Sequence, residues 1–276
     1  MTNDSHITVI GGTGKVGRRV AARLRERGHE VRAASRAGTT RFDWTDPDTW
    51  ARALDGTAAV YITPYDAGDA EMFRAFTETA VASGARRLVL LSARQWRDLG
   101  VEPALVREEI VRDSGTAWTV LRPVWFAQNF GEEPFLADGV AAGEVVHGVG
   151  EGRHAFVDAE DIADVATAAL VEDGHDGQVY ELSGPRALSL EEAVAQIGAA
   201  TGREVRAVAV SSEEYRRFLE RYLPAEVAAE LVQLFDFIRS GADARLSDGV
   251  QRALGREPRA FAEYAKTAAA SGVWDR

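Results

Sequence analysis

The sequence predicts an α/β fold: a doubly wound parallel sheet with a smaller, mixed and mostly helical C-terminal cap. Three observations predict it. A short apolar run, Ile7-Thr8-Val9-Ile10, passes at once into Gly11-Gly12-Thr13-Gly14-Lys15-Val16-Gly17. Strand-like and helix-like segments then alternate through the first half of the chain. The second half mixes a few short strands with a run of helices.

Each element has its own justification. The β-branched residues of Ile7 to Ile10 make a buried strand. Gly11 permits a tight turn, Gly14 lets the backbone approach a pyrophosphate, and Gly17 lets the next helix pack on the sheet. The helix from Val16 to about Arg27 aims its first N–H groups at bound phosphates. Between a strand and an amphipathic helix, such glycine spacing marks a Rossmann-type dinucleotide-binding unit. Val31 to Ala34 reads as strand two. Pro47 to Leu54 reads as a short helix, with Asp46 as its cap and Pro47 in its first turn. Ala58 to Ile62 is strand three, and Ala70 to Ala82 a helix stopped by Ser83-Gly84. Leu88 to Leu91 is strand four, Glu102 to Asp113 a helix, and Trp118 to Leu121 strand five. This order implies a parallel sheet.

Beyond it, Glu144 to Val146 and Ala155 to Val157 read as short strands, and Asp161 to Val171 as a helix capped by Asp158 or Asp161. Gln178 to Leu182 is a strand that returns to the main sheet. Helices follow at Leu190 to Ala200, Glu213 to Tyr222, Ala225 to Ile238 and Phe261 to Ala270. Residues 1–125, with the return strand near 178–182, thus form a dinucleotide-binding domain, and residues 126–276, discontinuously, a substrate cap.

Composition narrows the function classes. The 276 residues are 46% hydrophobic and carry a net charge of −11. Nucleic acid is a poor partner for such a chain, because phosphate backbones need a basic face. No apolar stretch approaches the roughly 20 residues of a membrane span. The polar start, Met1-Thr2-Asn3-Asp4-Ser5, lacks a signal-peptide pattern. The absence of cysteine excludes disulfides, thiolate chemistry and Cys-based zinc sites. A cytoplasmic, soluble protein is expected, and the spacing of its five histidines suggests no metal site.

Four stretches resemble the NmrA-like atypical short-chain dehydrogenase/reductases. They are Gly11-Gly12-Thr13-Gly14, Arg122-Pro123, Trp125-Phe126-Ala127-Gln128-Asn129-Phe130, and Phe156-Val157-Asp158 before Asp161-Ile162-Ala163. Tyr180-Glu181-Leu182-Ser183-Gly184-Pro185 fits the same family, so the resemblance runs from Ile7 to Trp274. Arg41-Phe42-Asp43-Trp44 also looks like bacterial relatives of the ergot-alkaloid iminium reductases. The resemblance implies NAD(P) binding on a Rossmann-type sheet. It extends to quinone reductases, reducers of conjugated carbonyls or imines, and redox sensors without turnover.

One departure narrows the chemistry. Ordinary short-chain dehydrogenases use Tyr-x-x-x-Lys, in which the tyrosine protonates a carbonyl oxygen. The lysines here are Lys15 and Lys266, and the positions four before them hold Gly11 and Ala262. Acceptors that need no strong general acid are favoured. A quinone gives a stabilised hydroquinone anion, and an iminium ion loses its charge.

Candidate cofactor residues follow from the strand ends. Ser35-Arg36 follow strand two, where NADP-preferring folds place Arg or small polar residues. Arg36 is expected at the 2′-phosphate; the alternative is a solvated surface arginine. NADP(H) is therefore preferred, with NAD(H) open. Thr13, Lys15 and Val16 belong to the phosphate turn with Gly11 and Gly14. Asp43, beside Trp44, lies where the relatives hold adenine, or else makes a plain turn. Thr63-Pro64 should run along the pyrophosphate and ribose, and Pro123 beside the nicotinamide.

At the reacting end, Ser92 follows strand four and is expected to touch cofactor and substrate, orienting a substrate oxygen; a strand-end cap is the alternative. Trp96, on the next loop with Gln95, could stack on a planar substrate. Trp125, Phe126 and Phe130 suit a flat aromatic ligand, although core packing is the likelier role for at least one of them. Asn129 is their polar, candidate catalytic neighbour. His147 and His154 flank a glycine-rich loop, and His147 is a candidate substrate contact; either could donate a proton. Glu132-Glu133 read as a solvated helix start.

The expected function is an NADPH-dependent reductase of a planar, electron-poor acceptor. A quinone of a polycyclic aromatic secondary metabolite is preferred, as in antibiotic biosynthesis. Since a hydroquinone reacts with oxygen, the protein could be the reductase half of a hydroxylating, monooxygenase pair. An iminium or enone reductase is the nearest alternative, and a non-enzymatic NAD(P)-binding redox sensor the alternative from another class. A partner enzyme and a homo-oligomer both stay open.

Overall fold

The β-branched and apolar strands of the first half assemble as a parallel sheet in the computed structural model, which describes residues 6–65 and 68–275. In chain order its elements are β1 (His6–Ile10), α1 (Gly17–Glu26), β2 (Val31–Ser35), β3 (Thr40–Arg41), α2 (Asp48–Leu54), β4 (Thr57–Ile62) and α3 (Ala70–Ala82). Then come β5 (Arg87–Leu91), α4 (Arg94–Asp98), α5 (Glu102–Arg112), β6 (Ala117–Pro123), α6 (Asn129–Glu132), α7 (Pro134–Ala142) and β7 (Glu144–His147). The rest are α8 (Ala159–Val171), β8 (Gln178–Leu182), α9 (Leu190–Thr201), β9 (Arg206–Ala209), α10 (Ser212–Leu219), α11 (Ala225–Arg239), α12 (Gly249–Leu254) and α13 (Phe261–Ala270).

Seven strands lie in the order β3-β2-β1-β4-β5-β6-β8 and pair in parallel throughout. This is the doubly wound, Rossmann-type sheet that the sequence predicts. Side chains alternate between its faces. Ile10, Val60, Ile62, Leu88, Leu90 and Val120 pack with Trp50, Phe73, Phe76 and Ile110 in one core under α2, α3 and α5. On the other side α1 packs on β1 and β2, and α8 on β4, β5 and β6. Asp69 caps α3 by accepting from the Met72 N–H at 2.7 Å.

The chain divides into two units. The first comprises residues 1–123, 159–182 and 248–256; the second comprises 124–158, 183–247 and 257–276. α8 and α12 therefore belong with the sheet, not with the cap to which the sequence analysis assigns them. The physical reason is the apolar face of α8: Ile162, Val165, Ala166 and Ala169 are buried, and a sheet needs helices on both faces. The second unit holds a two-stranded parallel β7–β9 sheet. Its core gathers Phe130, Phe135, Val140, Phe156, Ile197, Tyr215, Phe235 and Phe261.

Several local expectations need correction. Asp46 does not cap α2 with its side chain; Pro47 takes the cap position, and the Asp46 carbonyl accepts from the Thr49 hydroxyl at 2.6 Å. Ala155–Val157 forms no strand, only isolated bridges, Phe126 with Val157 and His154 with Leu188. Asp161 sits inside α8, fully buried, where it pairs with Arg256 at 2.7 Å. Gln95 and Trp96 lie on α4 instead of a loop. Glu132 ends α6, while Glu133 stands at the cap position of α7 without a side-chain capping hydrogen bond.

Candidate functional site

The turn after β1 shows why its glycines are needed. Gly11 has φ +75°, and a methyl group there would lie 2.9 Å from Cβ of Thr63. A methyl on Gly17 would lie 2.2 Å from the Gly11 carbonyl oxygen, so α1 could not sit this close to the turn. Gly14 faces space limited only by the Gly11 oxygen, at 3.1 Å from where its Cβ would be. Thr13 and Gly14 are exposed, whereas Val16 is buried and presents only its backbone. Lys15 is half-buried and its carbonyl accepts from Arg19 at 2.6 Å. Early N–H groups of a helix have no partner within it; the Arg18 and Arg19 N–H groups donate to the Gly14 and Val16 carbonyls, at 3.1 and 2.9 Å, so an anion would be met by the N–H groups of the turn before them.

At the end of β2, Ser35 is buried and its hydroxyl has no hydrogen-bond partner. Buried hydroxyls are ordinarily satisfied, so this one is suited to a ligand oxygen. Arg36 beside it is exposed. Asp43 faces the same end: the Thr45 N–H and hydroxyl, at 3.0 and 2.8 Å, hold its carboxyl below the usual range, and Arg36 and Arg41 act in the same direction. One Asp43 oxygen thus closes a turn around Thr45. Trp44 is packed among Phe42, Phe73 and Phe76, at ring distances of 5.2, 5.9 and 4.6 Å. The orphaned Ser35 hydroxyl, the exposed Arg36 after it and the open glycine turn fit a dinucleotide.

Along the same sheet, half-buried Thr63 and Pro64 follow β4, and buried Pro123 ends β6. Arg107 of α5 donates to the carbonyls of Tyr65 and Gly68, at 3.0 and 2.8 Å. Ser92 follows β5, and its hydroxyl donates to Oε1 of Glu108 at 2.7 Å. Glu108 is buried and also takes Nε of Arg122 at 2.9 Å, Nη2 of Arg122, and Nη2 of Arg112 at 3.2 Å. The Ser92 proton is committed to Glu108, so what the Ser92 hydroxyl has left for a ligand is its acceptor capacity. Trp96 is half-buried on α4 in this unit.

In the second unit, Trp125 is half-buried and stacks on His154, with centroids 5.3 Å apart and planes 11° apart. Phe235 meets Trp125 edge-on at 4.8 Å. Phe126 is also half-buried, and Asn129 is buried at the start of α6. Phe130 is fully buried against Phe156 and Phe261, and its carbonyl accepts from the Trp274 indole at 2.8 Å. It belongs to the core and is removed from the substrate contacts.

The two loop histidines are not solvated. His154 is fully buried, with Nδ1 3.1 Å from Asp243. His147 is buried, its Nε2 3.4 Å from Oε1 of Glu191 and its Nδ1 without a partner. Burial pushes the His147 pKa down; Glu191 pulls it back up, while Arg239 and His154 act with burial. The ring is neutral at neutral pH, so it is not an imidazolium donor.

Two residues escape the sequence reading, Glu108 and Asp243, and so does the burial of His154. A signal existed only for Glu108. Its place on the same helix face as Ala104 and Val111, both buried, implies burial, and a buried carboxylate needs a cationic partner. Among the described residues no group of three or more His, Asp and Glu side chains could hold a metal ion.

The sequence profile of the NAD(P)H-binding family matches residues 11–173. The chain is 37% identical over 281 residues to the uncharacterized oxidoreductase YesF of Bacillus subtilis, covering 98% of this chain and 97% of that protein. It is 32% identical over 289 residues to the NAD(P)H azoreductase of Xenophilus azovorans, covering 96% and 98%. In fold it is similar to the Escherichia coli NADPH-dependent quinone oxidoreductase QOR2 complexed with NADPH, with TM-score 0.76, 22% identity, and coverage of 95% and 99%. With the glycine turn and the Arg122-Pro123 pair in place, the chain belongs to the NAD(P)H-binding family, in its NmrA-like group.

Proposed function

We propose that this NAD(P)H-dependent oxidoreductase is an NADPH-dependent reductase of planar, electron-poor acceptors, with a quinone as the preferred acceptor. The end of β2 carries the reading: a buried, unpartnered Ser35 hydroxyl followed in the chain by an exposed Arg36, with Ser and Arg where NAD-preferring folds place a carboxylate. Bound NADPH supplies a hydride that, with one proton from water, converts a quinone to a hydroquinone and leaves NADP⁺. The chain's own part is to bind and orient. The glycine turn and α1 hold the pyrophosphate, and Arg36 pairs with the 2′-phosphate. Within the second unit, half-buried Trp125 and Phe126 are aromatic surface suited to a flat ligand.

The commitment of the Ser92 proton to Glu108 supports acceptors that need no general acid at that position. Quinones meet this condition first and cyclic iminium ions second. The names of the azoreductase and of the quinone oxidoreductase support the same acceptor type. A hydroquinone product that reacts with oxygen would suit a hydroxylating partner enzyme.

The test is NADPH oxidation with a panel of quinones, cyclic iminium ions and enones, run with and without oxygen. Turnover with quinones is expected. Tight NADPH binding with no acceptor reduced would turn the reading to a redox sensor. Arg36→Ala should raise the Kd of NADPH at least tenfold and leave NADH little changed; equal effects would remove Arg36 from the 2′-phosphate.

A further inference from the structure

We propose that Glu108 is a positioning residue: it holds the Ser92 hydroxyl as a hydrogen-bond acceptor for the carboxamide N–H of the bound nicotinamide. The inference rests on the reading of this sheet as the seat of NADPH. Its starting point is the complete use of one buried carboxylate. An ionised carboxylate offers about four lone-pair sites and donates nothing. Glu108 receives four donors: the Ser92 hydroxyl and Arg122 Nε on Oε1, Arg122 Nη2 and Arg112 Nη2 on Oε2. The Ser92 proton must therefore point at Glu108, and the remaining capacity of that hydroxyl is to accept. Ser92 is itself held in place by its N–H, which donates to the Leu121 carbonyl at 2.8 Å.

The strand order says which part of the cofactor meets it. The glycine turn follows β1, with β2 on one side and β4, then β5, on the other. A dinucleotide with its adenylate half at Ser35 and Arg36 and its pyrophosphate at the turn brings its nicotinamide half over β4 and β5. Ser92 is the first residue after β5. Ribose hydroxyls both donate and accept, so they do not require a partner of fixed polarity. An amide NH₂ only donates. An acceptor-only hydroxyl selects the NH₂ edge of the carboxamide over its carbonyl edge, which fixes the rotation of the ring. A buried carboxylate with two guanidinium groups is costly to desolvate, and fixing this polarity is a use for it.

Binding titrations test the contact without turnover, using NADPH and its 3-acetylpyridine analogue, in which a methyl group replaces the NH₂. The wild type should bind NADPH about tenfold more tightly than the analogue. Ser92→Ala should erase that preference by weakening NADPH alone, and Ser92→Thr should restore it. In Glu108→Gln, the amide carbonyl keeps the Nη2 donors of Arg122 and Arg112, and an NH₂ in the place of Oε1 no longer accepts from Ser92. The hydroxyl proton is then released toward the ligand, and the preference should be lost, since the carboxamide and the acetyl group both offer it a carbonyl. A circular dichroism spectrum checks that this variant is folded. A Ser92→Ala protein with the wild-type preference overturns the proposal. So does a folded Glu108→Gln protein that weakens both cofactors equally, since a purely structural Glu108 would do that. In both cases NADPH still binds the wild type, and the reductase reading stands; a wild type that binds no NADPH would sink both.

Discussion

At the scale of single residues, burial decides which chemistry a side chain keeps. Phe130 and Trp125 share one aromatic segment, yet Phe130 is enclosed by three aromatic residues while Trp125 stays half-buried. His147 shows the same effect on a titratable group. Its pKa is lowered by burial, against the pull of Glu191. In the unfolded chain the ring titrates near 6.5. Above that value it is neutral in both states and contributes no pH dependence. Below it the unfolded ring takes up a proton first, so stability falls as pH drops, until the lower folded pKa is passed. His6 and His175 are also lowered by burial and add to the slope. The urea midpoint of the wild type should therefore fall more between pH 7.5 and 5.5 than that of His147→Gln. Equal losses would mean that the ring is not protected in the fold.

At the scale of elements, close approach and ion pairing place the helices. Gly17 lets α1 start directly against the turn after β1, and Gly17→Ala would push the helix off the Gly11 carbonyl. We expect a loss of about 1–3 kcal/mol in stability and at least tenfold weaker NADPH binding, checked by urea denaturation and fluorescence titration. Unchanged cofactor affinity would show that the start of α1 does not hold the pyrophosphate. α1 is also joined to α8: Arg19 and Arg23 meet Glu160, and Arg23 meets Asp164, at 2.6 to 2.7 Å. Arg256, just after α12, closes on Asp161 and Asp164. The Glu160 and Asp164 pairs are partly exposed and individually weak, whereas Asp161 is buried; together they fix where three helices of one unit meet.

At the scale of the whole molecule, neither unit is a continuous piece of chain. The sheet unit takes α8, β8 and α12 from the second half of the sequence. β8 pairs with β6 through five residue pairs, from Thr119 with Gln178 to Pro123 with Leu182. A protein ending after residue 158 would lack that strand and the helix that covers β4 to β6. It should lose its cooperative unfolding transition and its NADPH binding, measured by thermal circular dichroism and titration. A truncated protein that still unfolds cooperatively and binds NADPH would show that β1 to β6 suffice. No described helix is long and apolar enough to cross a membrane.

The sequence by itself determined what depends on neighbours along the chain. Strand periodicity, helix stops and the glycine turn are local patterns, so β1, β2, β4, β5 and β6, their parallel sheet and the nucleotide family were legible. α4, α12 and the two-residue strand β3 were not, because they are short and draw their stability from packing instead of propensity. The tertiary structure alone decided which groups each side chain meets. Ser92 finds Glu108, 16 positions later, and His154 finds Asp243, 89 positions later. Such partners have no spacing rule, since the fold brings them together after the chain has left both behind. The assignment of α8 to the sheet, the enclosure of Phe130 and the neutrality of His147 follow for the same reason: burial is a property of the packed chain, and a residue's type sets only its cost.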